Sequence, residues 1–205
     1  MKQLALDISA PPDPDLDNFV PGDNAELLER LRELAGGRLA ESIVYIWGEP
    51  GSGRSHLLAA CATAGVQTAD DVENLDEPAQ VDLFNRINAA RESGGAMLCA
   101  GSVPPNLLPL REDLKSRLAW GLVYRVKSLS DEARAHYLAG EATRRGLRIS
   151  PEIIDYLLSQ ARRDLPSLLA IMERLDRRSL ELKRPLTLAL ARDTLREALG
   201  AAQAS

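Results

Sequence analysis

The chain has 205 residues, enough for one large domain or for a medium domain and a small one. Its 25 basic and 30 acidic residues give a formal charge of -5, which argues against autonomous, sequence-independent DNA binding. Hydrophobic residues make up 45% and charged residues 27% of the chain, the proportions of a globular protein rather than a disordered one. The two cysteines lie in apolar stretches, which predicts buried thiols rather than a metal site.

The first 17 residues are predicted to form a short peptide and a linker. Residues 9–18, SAPPDPDLDN, are rich in Pro and Asp, a composition that favours an extended tether over a helix or a central strand. The peptide before the tether lacks the apolar core of a signal peptide because Asp7 interrupts it. No stretch of the sequence approaches the roughly 18 apolar residues of a membrane helix. We therefore expect a cytoplasmic protein with no membrane partner.

Apolar runs and glycines predict alternating strands and helices from the tether to about residue 128. Strands are predicted at residues 42–47, 65–69, 96–100 and 122–126, and helices at 25–34, 55–64, 78–92 and 114–118. Asn24 is predicted to cap the first helix. The helix at 78–92 is predicted to bury one face formed by Val81, Phe84, Ile87 and Ala90. This alternation is typical of an α/β domain with a doubly wound parallel sheet.

After residue 129 the pattern is helical throughout. Helices are predicted from Ser130 to Gly146, from Ser150 and Pro151 onward, over 165–182, and after Thr187. The sequence therefore predicts three regions, namely the peptide and linker at 1–17, an α/β domain at 18–128 and a small all-helical domain at 129–205.

A glycine-rich loop between the first strand and the following helix is the sharpest motif. Its sequence over residues 48–55, GEPGSGRS, matches G-x-x-x-x-G-K-[ST] except for the arginine at 54. Glycines let successive backbone N–H groups turn toward phosphate oxygens, and the helix that follows adds partial positive charge. The motif predicts a nucleotide site formed by Gly48, Gly51, Ser52, Gly53, Arg54 and Ser55. The alternative is a glycine turn that binds nothing.

A magnesium ion at this loop would need a hydroxyl and a carboxylate. Ser55 offers the hydroxyl, and Asp70 and Asp71 follow the second predicted strand. We therefore predict that Asp70 and Asp71 complete the nucleotide site and that Ser55 and Asp70 hold magnesium. The alternative is an acidic turn on the surface. Arg54 weakens a catalytic role more than a binding role, because a planar guanidinium is not equivalent to a lysine at this position.

Together these segments resemble the AAA+ module of the bacterial replication initiator DnaA, and most of all its short regulatory relatives, the DnaA regulatory inactivator (Hda) family. The resemblance covers essentially the whole chain. The segments that carry it are NFVPGDN at 18–24, the loop at 48–55 with its arginine, DDVE at 70–73, PP at 104–105 and DLKSRLAWG at 113–121. The last matches the family signature D-L-x-S-R-L-x-W-G. The resemblance implies a shortened P-loop AAA+ parallel sheet followed by a small helical lid domain.

The amino-terminal peptide is similar to the family's Q-L-x-L-P-L sequence, which binds the sliding clamp. Residues 3–8 read QLALDI, with Asp7 in the place of the usual proline. The resemblance implies that the β sliding clamp of DNA polymerase III is bound by Gln3, Leu4, Leu6 and Ile8. Apolar side chains in pockets and a polar side chain at the rim are a common mode of peptide recognition. The alternative is an amino terminus that binds nothing.

The arginine of the family's S-R-L sequence acts in trans, projecting toward the nucleotide of an adjacent AAA+ subunit. Arg117 matches that position, so the resemblance implies a trans-acting arginine finger. The alternative for Arg117 is a salt-bridged arginine on the surface.

Three positions that read the terminal phosphate in the family are altered here. Arg54 replaces lysine, Ser102 stands where an aspartate is usual, and Pro166 falls on the place of the lid arginine. These departures imply that the chain's own ATP hydrolysis is weak or absent. They favour bound ADP, or ATP, with magnesium as the cofactor, and a protein that is more an activator than an enzyme.

The resemblance therefore implies a regulator of replication initiation that binds the clamp and stimulates hydrolysis of ATP held by DnaA, which prevents re-initiation. DNA would be contacted only through the clamp, and homo-oligomerisation is left open. The alternatives are an autonomous AAA+ ATPase or loader, a scaffold for the clamp and DnaA without catalytic effect, and a DNA-binding initiator fragment. The charge and the end of the sequence at Ser205, before any helix-turn-helix domain, argue against the last.

Overall fold

The computed structural model describes residues 13–161, 164–182 and 185–202. The chain divides into two compact units, with the boundary between Lys127 and Ser128. Within the described residues, every helix is too short or too polar to cross a lipid bilayer. The predicted clamp-binding peptide lies outside these residues. The described part of the predicted linker is not an extended tether, because Leu16 is buried in the core of the first unit and Asp17 pairs with Arg32 at 2.7 Å.

The first unit is a parallel sheet covered by helices. Its strand order is β2-β3-β1-β4, with every pair parallel, which confirms the predicted shortened AAA+ sheet. In chain order its elements are α1 (Ala25–Ala35), β1 (Ile43–Trp47), α2 (Arg54–Thr63), β2 (Gln67–Ala69), α3 (Glu77–Ser93), β3 (Met97–Gly101), α4 (Glu112–Leu118) and β4 (Leu122–Arg125).

Each inner strand is buried on both faces, because alternate residues of a strand point to opposite sides. Val44 and Leu98 lie in one core with α1 and α2, whereas Tyr45 and Cys99 lie in a second core with α3 and α4. The two cysteines are free and buried, as expected. Since the strands are parallel, the loops that follow β1, β2 and β3 meet at one edge of the sheet.

The predicted buried face of α3 needs one correction. Val81 is 40% exposed, whereas Leu83 and Ile87 are buried. With about 3.6 residues per turn, Leu83 lies one turn before Ile87 and shares its face, while Val81 lies on a different side. The prediction for Val81 was therefore wrong, and Leu83 takes its place in the core.

Asn24 precedes α1 as predicted, but its side chain does not cap the helix. The Nδ2 group donates to the carbonyl of Lys127 at 2.8 Å, and Oδ1 accepts from the Lys127 amide at 2.7 Å. The residue is only 4% exposed, so its amide must be satisfied inside the protein. Asn24 thus joins the start of α1 to the last residue of the unit.

The second unit is all-helical, as predicted. Ser130 Oγ accepts from the amide of Ala133 at 3.1 Å, and Thr187 Oγ1 accepts from the amide of Leu190 at 3.3 Å, so both side chains cap helices that begin where the sequence predicted. The helices are α5 (Asp131–Arg144), α6 (Pro151–Gln160), α7 (Leu165–Leu182) and α8 (Leu188–Ala202). Their apolar faces form a separate core that contains Leu138, Leu157, Leu168, Met172 and Leu175.

Candidate nucleotide-binding site

The glycine-rich loop joins the carboxyl end of β1 to the start of α2. Gly51 and Gly53 have φ values of 81° and 101°, in the region that favours glycine. The amide of Ser52 donates to the carbonyl of Glu49 at 3.1 Å, which closes the turn. The loop therefore has the strand-loop-helix setting that the motif requires, with the first N–H groups of α2 directed toward it.

Phe19 covers the loop at Gly53. A Cβ atom added at Gly53 would lie 2.8 Å from Cε2 of Phe19, so a side chain at position 53 would be both strained and crowded. The Phe19 ring also packs against the ring of His56, with 5.6 Å between centroids. Phe19 belongs to a segment that carried the family resemblance, but it was not predicted to contact the loop. Only its place within the segment at 18–24 hinted at this role.

Ser55 and Asp70 lie together, as the magnesium prediction requires. Ser55 Oγ is 3.4 Å from Asp70 Oδ2, and the other carboxylate oxygen of Asp70 accepts from the Asp71 amide at 2.8 Å. Both side chains are exposed. A hydroxyl and a carboxylate are the hard oxygen ligands that magnesium prefers, so these residues fit the ion. Among the described residues there is no cluster of three or more His, Cys, Asp or Glu that could hold a metal, so phosphate and water oxygens would complete the shell.

Arg54 is turned toward the acidic side of the site. Its Nη2 atom lies 3.8 Å from Asp71 Oδ1, and only 12% of its side chain is exposed. Asp71 adopts a left-handed backbone conformation with φ 45°, which aspartate tolerates better than most residues. The loop cation is thus paired with an acid that follows β2.

Glu73 is a further acidic group at this edge, and the sequence did not single it out as a site residue. Its Oε1 atom accepts from the amide of Ser102 at 2.9 Å. Burial raises the pKa of Glu73, but hydrogen bonds from Ser102 and its own backbone and the charge of Arg54 outweigh burial, so the pKa lies below its usual value. The carboxylate is therefore ionised at neutral pH. Ser102 contributes an amide that holds Glu73, rather than a charge.

Two buried polar atoms lie in the loop without a hydrogen-bond partner in the described part of the chain, namely Ser52 Oγ and Arg54 Nη1. Buried donors normally have partners, and a phosphate oxygen would accept from either group. Together with the glycine conformations and the start of α2, these donors make the loop fit a nucleotide phosphate. The predicted residues of the loop, Asp70 and Asp71 are thus brought together at one edge of the sheet.

Arg117 lies elsewhere, in the last turn of α4. Its guanidinium carbon is 3.6 Å from the centroid of the Trp120 ring and 5.2 Å from that of Phe84. The amide of Trp120 donates to the carbonyl of Arg117 at 3.2 Å, so a tight turn stacks the two side chains. In the described residues, Arg117 has no ion pair and no side-chain hydrogen bond. The salt-bridged alternative for Arg117 is therefore not what the structure contains.

The glycine of the D-L-x-S-R-L-x-W-G signature fixes where this turn sits. A Cβ atom on Gly121 would lie 1.8 Å from the carbonyl oxygen of Ile43, the first residue of β1. Leu114 and Leu118 are fully buried and anchor α4 beneath it. Since the glycine-rich loop follows the last residue of β1, Arg117 and the loop lie at opposite ends of that strand.

In the second unit, Pro166 is the second residue of α7, where the absent N–H of proline breaks no helical bond. The amide of Ser167 donates to Asp164 Oδ1 at 2.9 Å and caps the helix. Pro166 contributes no charge, in agreement with the sequence.

Comparison with known proteins adds to this geometry. A family model described as the Hda lid domain matches residues 131–195, which lie in the second unit. An uncharacterized protein of Haemophilus influenzae is 32% identical over 230 aligned residues, which cover 95% of this chain and 98% of that protein.

Two solved structures share the fold. Domain III of the Thermotoga maritima replication initiation protein DnaA superposes with a TM-score of 0.73 at 18% identity, over 91% of this chain and 97% of that one. AMPPCP-bound DnaA from Aquifex aeolicus gives a TM-score of 0.67 at 21% identity, over 79% of this chain and 64% of that one. The predicted AAA+ fold is thereby confirmed.

Proposed function

We propose that this chain, which belongs to the Hda/DnaA-related AAA+ family, is a replication regulator that acts by stimulating hydrolysis of ATP bound to DnaA. In this proposal Arg117 reaches the nucleotide of the DnaA subunit next to it. The hydrolytic water and its magnesium ion belong to DnaA. The result is fewer ATP-bound initiators, and hence no second round of initiation.

The position and surroundings of Arg117 carry the proposal. The guanidinium stacks on Trp120 at the amino end of β1, whereas the chain's own loop follows the carboxyl end. Five residues of strand at about 3.3 Å each separate the two places, too far for Arg117 to serve its own loop. A cation held by a ring keeps its N–H groups for an incoming phosphate, where a finger of this kind contributes about a thousandfold or more.

The chain's own loop is better suited to holding a nucleotide than to hydrolysing it. Arg54 pairs with Asp71, the acid that follows Asp70, which we propose as a magnesium ligand. An acid engaged by a guanidinium is a poor base for a water molecule. We propose that ADP is the resident nucleotide and that it serves a structural purpose. When magnesium is bound, Ser55 and Asp70 hold it, and the ion neutralises phosphate charge.

The clamp contributes proximity. We propose that Gln3, Leu4, Leu6 and Ile8 bind the DNA polymerase III β sliding clamp and that the residues between this peptide and Leu16, which is buried in the first unit, act as the tether. The proposal for the peptide rests on its sequence. Such a tether raises the local concentration near DnaA of the rest of the chain, namely the predicted AAA+ domain at 18–128 and the predicted lid domain at 129–205. DNA is then contacted through the clamp.

The decisive experiment is reconstituted hydrolysis of DnaA-bound ATP with clamp-loaded DNA, in which the full chain is compared with Arg117→Ala. We expect the parent to accelerate hydrolysis and Arg117→Ala to lose at least about a hundredfold of that acceleration, because the lost group touches the reacting phosphate. Arg148→Ala removes an exposed arginine of the second unit and serves as the control.

Two outcomes would contradict the proposal. Brisk ATP hydrolysis by the isolated chain would make it an autonomous ATPase or loader. Undiminished stimulation by Arg117→Ala would leave a scaffold that recruits DnaA without a catalytic contribution.

A further inference from the structure

Two arginine side chains stack on the ring of Trp120. Besides Arg117 at 3.6 Å, the guanidinium carbon of Arg91 lies 4.2 Å from the centroid of the same ring. Arg91 is in the last turn of α3, and Trp120 is 43% exposed. Two cations from different helices therefore converge on one aromatic side chain at the surface of the first unit. We call this group, Arg91, Arg117 and Trp120, the tryptophan cluster.

Both arginines differ from the neighbouring arginines, one on α3 and one just before α4. On α3, Arg86 lies 3.9 Å from the carboxylate of Asp82 and donates to the Thr68 carbonyl. Before α4, Arg111 pairs with Asp113 at 2.7 Å. Neither Arg91 nor Arg117 has an acidic partner among the residues that the structure describes. The chain has 30 acidic residues, yet these two arginines stack on the Trp120 ring instead of pairing with a carboxylate.

A ring and a carboxylate leave an arginine in different states. A carboxylate accepts hydrogen bonds from the N–H groups of the guanidinium, whereas a ring contacts the face of the guanidinium. Stacking on a ring therefore leaves the N–H groups, which lie in the guanidinium plane, free to donate to another group. The cluster therefore presents two forks that remain able to bind an anion. Arg117 Nε is the exception, since it is buried without a partner.

The two charges also repel each other. Since both guanidinium carbons lie close to one centroid, they are within about 8 Å of each other, roughly the screening length at physiological salt. A multiply charged anion that contacts both guanidinium groups relieves this repulsion more than a single carboxylate does. Polyphosphate matches both the charge and the bidentate geometry of the forks.

We propose that Arg91 is a second phosphate-binding arginine and that Trp120 is a positioning residue, which together with Arg117 form a clamp for the triphosphate of a nucleotide held by a second AAA+ subunit. This inference rests on the proposed function of Arg117. Arg91 reaches the same place because α3 ends at Ser93, just before β3 begins at Met97, and Met97 lies opposite Ile43 of β1. The cluster thus belongs to the end of the sheet where Gly121 places Trp120.

The test separates charge from ring. Four variants of the full chain are compared with the parent, namely Arg91→Gln, Trp120→Leu, Trp120→Tyr and, as a control at an exposed arginine outside the cluster, Arg38→Gln. Hydrolysis of DnaA-bound ATP on clamp-loaded DNA is measured against the concentration of each variant. We expect the maximal rate to fall about tenfold in Trp120→Leu and severalfold in Arg91→Gln, with an unchanged half-saturating concentration. Trp120→Tyr, which keeps a ring face, and Arg38→Gln should stay near the parent.

A second readout does not depend on DnaA. The side-chain Nε–H resonance of Arg117 should carry a ring-current shift in the free protein, which Trp120→Leu abolishes and Arg38→Gln leaves in place. An Arg117 resonance that does not move in Trp120→Leu would overturn the positioning role, whatever the hydrolysis assay gives. Arg91 is exposed, so we expect Arg91→Gln to fold even if a change at Trp120 prevents folding. The phosphate-binding role of the tryptophan cluster is then tested through Arg91 alone.

The outcomes are distinguishable. If the parent gives no stimulation, the proposed function fails, and the phosphate-binding role of the tryptophan cluster fails with it. If the parent stimulates and both Arg91→Gln and Trp120→Leu do so equally well, only the role of the tryptophan cluster is overturned. Binding of duplex DNA that is lost in Arg91→Gln, with hydrolysis unchanged, would assign the cluster to nucleic acid instead.

Discussion

The Nη2 atom of Arg54 lies 3.8 Å from Oδ1 of Asp71, so the cation of the glycine-rich loop is paired with an acid of its own chain. The charge of Arg54 also favours the ionised form of Glu73, whose carboxylate is bonded to Ser102. A lysine would present a compact charge to the terminal phosphate, whereas this guanidinium is mostly buried beside acids. We expect this pairing to stabilise the conformation of the loop and to reduce its ability to catalyse ATP hydrolysis.

Gly53→Ala is expected to weaken ADP binding at least about tenfold. The substitution places a Cβ at a φ of 101°, and that atom would lie 2.8 Å from the Phe19 ring beside the loop. Isothermal titration with ADP measures the change. Gly140→Ala is the matched control, since Gly140 lies in α5 with open space around it, and it should stabilise the protein by about 1 kcal/mol. Equal ADP affinity in both variants would remove the loop from the nucleotide site.

Ser55→Ala should abolish the contribution of magnesium to ADP binding. We expect the parent to bind ADP about tenfold more tightly with magnesium than with EDTA, a difference of about 1.4 kcal/mol. In Ser55→Ala the two affinities should converge, because the hydroxyl beside Asp70 is lost. Ser93→Ala, at the end of α3, is the control. A magnesium effect that survives in Ser55→Ala would place the ion elsewhere.

Acid should destabilise the parent more than Glu73→Gln. The pKa of Glu73 is lower in the folded protein than its ordinary value, so its stabilising effect is complete above about pH 5. That effect is lost as the pH falls through the folded value. We therefore expect Glu73→Gln to cost about 1 kcal/mol of unfolding free energy at pH 7 and to lose less on acidification. Urea unfolding from pH 7 to pH 3 tests this, with Glu77→Gln, at an exposed position, as the control.

Leu4→Ala with Leu6→Ala should abolish co-elution of the chain with the clamp and leave its melting temperature unchanged. The two leucines supply the apolar contacts of the proposed peptide, and they precede the residues that the structure describes. Asp7→Pro should instead tighten binding, because proline restricts the unbound peptide. Asp13→Ala in the linker is the control for loss of a nearby residue. Persistent co-elution of the double variant would show that another surface binds the clamp.

Much of the fold could be predicted from local patterns. The apolar runs of β1 and β3 and the glycines after α1 and α3 marked elements to within one or two residues, because burial on both faces and chain reversal leave local traces. The loop motif and the two acids after β2 also indicated where a site would form. Parallel strands then brought these segments to one edge.

Contacts between distant segments could not be predicted in this way. Asn24 has the sequence context of a cap, yet its side chain bonds to Lys127, far along the chain. Phe19 and Glu73 reach the site only because of how their segments pack. The tryptophan cluster also joins two helices that are separate in sequence, so its second arginine had no local signal.

The outer strands of the sheet are shorter than the inner ones, since β2 has three residues and β4 has four, against five in β1 and in β3. Short edge strands leave few unpaired backbone N–H and C=O groups for a strand of another molecule. We therefore expect the first unit to resist edge-to-edge aggregation when its local concentration is high.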